Sequence, residues 1–107
     1  MEISMILSGL GYSANEGLTR QVERILSNCD LADAELSHLL ALHAKIDKFS
    51  GFVAISNSED VFKIKCQATA PSDIRNFNEI VKEWAEKYQL NVKKLDGKET
   101  YYLLGRK

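Results

Sequence analysis

The chain predicts a two-layer α+β sandwich in which three helices pack against an antiparallel sheet of four or five strands. Three observations carry that expectation. Apolar residues recur at helical spacing through 18–48 and again through 74–88. They alternate with polar residues through 52–68, and the dipeptide Asp96-Gly97 separates two further alternating segments near the end. At 107 residues the chain fits one domain built on one hydrophobic core.

Residues 1–17 read as a loop or a short strand. The apolar run at 3–7 suits either a strand or the start of a helix, and Gly9, Gly11, Asn15 and Gly17 then suggest a connector. Helical spacing begins with Leu18, Val22, Ile25 and Leu26, which predicts a helix over 18–28. Asp30 is suited to cap a second helix, with Leu31 in its first turn. That helix runs to about residue 48, and Leu36, Leu39, Leu40, His43 and Ile46 line its apolar face.

The period changes after Gly51. Segments 52–55 and 61–68 read as strands joined by a turn at 57–60. Alternation puts Val53, Ile55, Phe62, Ile64 and Cys66 on one face, with Phe52, Lys63, Lys65 and Gln67 on the other. Pro71 opens a third helix, where Asp73 complements the positive end of the dipole. Its apolar stripe is Ile74, Phe77, Ile80, Val81, Trp84 and Tyr88.

The last element is a hairpin with Asp96-Gly97 as a two-residue type I′ turn. That turn pairs Leu95 with Lys98, Lys94 with Glu99, Val92 with Tyr101 and Leu90 with Leu103. Leu90, Val92, Tyr101 and Leu103 then share a face, and Lys94 meets Glu99 across the ladder. The resulting order is (β?)ααββαββ. If 3–7 is a strand, residues 1–95 trace βαββαβ, a ferredoxin-like order with a fifth strand added.

Composition narrows the function. Lys and Arg number 14 against 15 Asp and Glu, for a net charge of −1, and 45% of residues are hydrophobic. Those values exclude a disordered chain, a histone-like basic tail and a polyacidic segment. Cys29 and Cys66 are far apart and lack metal-ligand or redox spacing, so no metal, disulfide or cofactor is expected. His38 and His43 are five residues apart, which points them to different sides of a helix. No basic leader with a long apolar core is visible, and a membrane span needs about 20 apolar residues. The expected setting is the cytoplasm, with no membrane partner.

The candidate site is the sheet face turned away from the core, with Phe52, Lys63, Lys65, Lys93, Lys98 and Tyr102. Charge is also polarised along the chain. Residues 1–47 hold three basic and seven acidic side chains, whereas 48–107 hold eleven basic and eight acidic. No set of acid, base and nucleophile converges, so catalysis is not expected. The pattern points to a small non-catalytic binding or regulatory module that contacts a protein partner or a second copy of itself, as a homodimer.

Two alternatives come from other classes. The same lysines, with Phe52 and Tyr102 as stacking rings, suit nucleic acid. Segment 48–55 overlaps the RNA-recognition-motif signature at Lys48, Gly51, Phe52 and Val53. It lacks the aromatics that signature needs at Ser50 and Ile55, so membership is not assigned. Gly9, Gly11 and Ala14 satisfy the spacing of a dinucleotide loop, but the chain has no room for the parallel sheet such a loop serves. A small-molecule binder or enzyme with a pocket at this loop, with Tyr12 and Asn15, is the remaining alternative.

Overall fold

The computed structural model describes all residues, 1–107. Four helices and one four-stranded sheet follow in the order α1 (Ile3–Gly9), α2 (Glu16–Cys29), α3 (Asp33–Ile46), β1 (Gly51–Ile55), β2 (Phe62–Cys66), α4 (Pro71–Lys87), β3 (Leu90–Lys94) and β4 (Thr100–Arg106). A 3-10 turn at Asp47–Phe49 joins α3 to β1. The α+β class expected from the sequence holds, with a fourth helix at the N-terminus. The ferredoxin-like order does not, because residues 3–7 are helical and the sheet has four strands.

Local chemistry explains the boundaries. In α1, Ile3, Ile6, Leu7 and Leu10 recur at i, i+3, i+4 and i+7, and the last three are buried. Helix α2 starts two residues before the expected Leu18, because Asn15 caps it: its Oδ1 accepts from Leu18 N–H at 2.8 Å. Asp30 does not cap α3. It ends α2 in the left-handed region at φ 51°, which short polar side chains tolerate. The first turn of α3 is held instead by Glu35, whose carboxylate accepts from Ala32 N–H at 3.1 Å. Leu42, absent from the expected stripe, is buried on α3.

All strand pairs are antiparallel, in the spatial order β1-β2-β4-β3. Strands β2 and β3 therefore run parallel with β4 between them, and α4 makes the crossover, as in a split βαβ unit. Val53, Ile55, Phe62, Ile64, Tyr101 and Leu103 face the helices and are at most 5% exposed. They join a single cluster of 23 buried residues with Ile25 of α2, Leu39 and Ile46 of α3, and Phe77 and Val81 of α4. Losing a ring as enclosed as Phe77 costs about 3–5 kcal/mol, so this cluster sets the stability of the whole chain.

The hairpin keeps the expected faces but not the expected register. Val92 pairs with Leu103, Lys93 with Tyr102 and Lys94 with Tyr101, two residues from the predicted alignment, and a bulge follows at Asn91/Val92. The type I′ turn is replaced. Within 95–98 only Gly97 has positive φ, at 71°, as in a type II turn, and Leu95 C=O accepts from Lys98 N–H at 3.3 Å. A two-residue shift preserves side-chain parity. Lys94 and Glu99 also remain in reach, at 4.0 Å.

The two sheet edges are finished differently. On β1, Val53 N–H donates to His43 Nδ1 at 2.9 Å and Ile55 N–H to the Tyr12 hydroxyl at 3.1 Å. These bonds satisfy backbone donors that would otherwise recruit another strand. The β3 edge is blunted by Lys93, Lys94 and the bulge.

Candidate functional site

The sheet face opposite the helices is built by strand parity. Across all four strands the register aligns Ala54, Lys63, Tyr102 and Lys93 in one row. A neighbouring row aligns Phe52, Lys65 and Thr100. Adjacent strands are about 4.8 Å apart, so Lys63 and Lys93 flank Tyr102 with backbones roughly 10 Å from each other. Phe52, Lys63, Lys65 and Tyr102 are half-buried, and Lys93 is exposed. Buried residues of all four helices join one cluster with the core-facing strand residues, whereas Ala54 and Phe52 take no part in it, so the helices lie on the other side. The N-terminal helices therefore do not cover it.

Five of the six expected contact residues come together here. Lys98 is the exception. The shifted register places it in the hairpin turn, where its carbonyl accepts from Lys94 Nζ at 2.9 Å and its side chain is exposed beyond the ladder. Leu104, 39% exposed, lies on the face by the same parity and was not anticipated.

Electrostatically, the face is one-sided. None of Lys63, Lys65, Lys93 and Lys98 belongs to an ion pair. No acidic residue of β1 to β4 shares the face; Glu99, before β4, is drawn to Asn78 Nδ2 at 2.9 Å on the helical side. The small residues Ala54 and Thr100 are 7% and 5% exposed, opposite Lys63 and Lys65, so long lysine stems cover the ground between them. The surface is cationic at its tips and apolar at its base.

The glycine-containing N-terminal segment is not a pocket. Tyr12 and Asn15 are spent on the β1 edge and the α2 cap. The two hollows in the surface lie elsewhere, and neither involves residues 9–17. One, of about 420 Å³, runs beside β3 along Leu90 and Val92. The other, of about 270 Å³, opens between α3 and α4 and is lined by His38, Trp84 and Tyr88. The sequence placed Trp84 and Tyr88 on a core stripe, and His38 on a different side of its helix from His43. Trp84 is buried, whereas Tyr88 and His38 are half-buried and stacked on each other.

The thiols stay apart in role. Cys29 is buried and lies 3.6 Å from Leu103 O, while Cys66 is half-buried beside Phe49 O at 3.4 Å. No group of three or more His, Cys, Asp or Glu side chains is placed to hold a metal ion. No helix is long and apolar enough to cross a membrane. Comparison with known proteins finds no matching family model, no matching curated protein and no matching solved structure.

Proposed function

We propose that this protein is a non-catalytic binding module that holds a protein partner with an acidic, partly apolar surface on the open face of its sheet. The observation that supports this most is the row Lys63–Tyr102–Lys93, three long side chains on a helix-free face with no ammonium group paired. Tyr102, Phe52 and Leu104 supply apolar area, and tyrosine gives contact area at small entropic cost. The lysines supply steering and orientation.

Charge also selects among partners. A two-fold dimer through this face would set Lys63, Lys65 and Lys93 of one copy against the same residues of the other. Like charges brought together across an interface oppose it, so a different protein is the better partner. Nucleic acid has one feature in its favour, the Phe52 and Tyr102 rings among lysines. Against it, the four arginines lie off the face, on α2, on α4 and at the end of β4, where Arg106 pairs with Asp30 at 2.7 Å.

The test is fluorescence anisotropy with two probes, a labelled peptide of alternating Glu and Leu and a mixed-sequence single-stranded RNA. The triple variant Lys63→Glu, Lys65→Glu, Lys93→Glu should lose peptide binding at least tenfold, with thermal unfolding within a few degrees of the parent. Unchanged peptide binding by the folded variant would contradict the reading. RNA bound more tightly than peptide, with affinity falling steeply in salt, would replace it with the nucleic-acid reading.

A further inference from the structure

The groove between α3 and α4 has a different construction. Two helical stripes face each other, His38, Ala41 and Lys45 on α3 and Ile80, Glu83, Trp84 and Lys87 on α4. Ala41 is why the seam does not close. A methyl group stands where a larger side chain would fill the gap, and about 270 Å³ stays open.

Its walls are flat and fixed. His38 and Tyr88 stack with ring centroids 3.7 Å apart and planes 15° from parallel. Trp84 meets Tyr88 edge-on at 6.4 Å. The indole is held in place because its Nε1–H donates to His38 C=O at 3.0 Å. These contacts join the two helices and hold the aromatic surface in one arrangement without a ligand.

The charged groups around these walls form no ion pairs. Glu83 and Lys87 have i,i+4 spacing yet form no ion pair, and Lys45 forms none either. The Lys87 ammonium instead stands 5.3 Å from the centre of the Tyr88 ring. Two ammonium groups without a carboxylate partner, against one carboxylate, leave the groove with an excess of one positive charge. Rigid aromatic walls with a few convergent polar groups are the usual make-up of a small-molecule site.

We propose that this groove binds a planar aromatic molecule bearing one anionic group. Its ring lies along Trp84 and Tyr88, and Lys45 and Lys87 hold the anion. The site belongs to the helical layer and shares no residue with the open sheet face, so it is independent of the binding function proposed above.

Trp84 is the only tryptophan in the chain, so its indole N–H gives one resolved signal in a ¹⁵N–¹H spectrum. Titration with 2-naphthoate should shift that signal saturably, together with amides of 38–45 and 80–88. The neutral 2-naphthylmethanol should bind at least tenfold more weakly. Lys45→Glu with Lys87→Glu should weaken naphthoate binding at least tenfold, and Ala41→Phe should abolish it by filling the groove. Both lysines and Ala41 are exposed, so these variants test binding without opening the core. No shift of the Trp84 signal up to millimolar naphthoate would overturn the proposal. Equal binding of acid and alcohol, or undiminished binding by the double lysine variant, would overturn it as well. Shifts confined to Lys63, Lys65 and Lys93 would place the anion on the sheet and also count against the groove.

Discussion

Cys29 carries two kinds of information at one position. Its thiol is 3% exposed and lies against the carbonyl oxygens of Leu103 and Asp60. Burial pushes its pKa up from the ordinary 9.0; a hydrogen bond from Asn28 opposes this, and the charge of Asp60 adds to it. Tyr101 is also raised, first by burial and then by Glu99, and its hydroxyl donates to Asn78 Oδ1. Both groups keep their protons more firmly when folded. Their contribution is therefore whole below pH 9.0 and is lost as the pH climbs through the raised values. Urea midpoints measured by circular dichroism should be level from neutral pH to about 9 and then fall, and Tyr101→Phe should make the upper part of that fall shallower. An equally steep decline in the Tyr101→Phe protein would show that other groups set the alkaline limb. The burial of Cys29 was not legible in sequence, because it depends on Gly105. That residue has φ 133°, and a β-carbon there would collide with the Cys29 backbone carbonyl, so β4 and the end of α2 meet only through a glycine.

The elements differed in how openly they were written. Helix α4 was legible, since Pro71 marks its first turn and Phe77, Val81 and Trp84 of the expected stripe are buried along it. Helix α1 was missed, because 3–7 alone fits either period and the helical spacing shows only when Leu10 is included. The hairpin register failed for a physical reason. Asp-Gly favours a type I′ turn locally, yet β4 also pairs with β2, and that second ladder with the bulge at Asn91/Val92 sets the alignment. Edge protection by Tyr12 and His43 left no local signal, because each bonds to a strand at least ten residues away. Replacing His43 with Leu and Tyr12 with Phe should cost about 1–3 kcal/mol per orphaned N–H. It should also expose the β1 edge, so light scattering should detect more self-association than in the parent. A double variant that associates no more than the parent and melts at the parent temperature would show that β1 needs no side-chain caps.

At the scale of the whole molecule, charge is distributed unevenly along the chain. Residues 1–47, which fold into the first three helices, carry only three of the fourteen basic side chains, and lysines of 48–107 supply the sheet's free face. Parity alone put five of the six expected residues on one face, because a two-residue register shift leaves every side chain on its own face. Sequence did not show whether the N-terminal helices would shield that face, since helix placement depends on contacts across the chain. It did not show the groove either, because a gap at Ala41 exists only once α3 and α4 are side by side. The most direct measurement is a ¹⁵N–¹H titration of the intact protein with the alternating Glu/Leu peptide at low salt. The account predicts saturable shifts at Phe52, Lys63, Lys65, Lys93 and Tyr102, absent in the triple lysine variant, with the Trp84 indole signal unmoved. Shifts centred on the helical layer, or none on the sheet face, would contradict it.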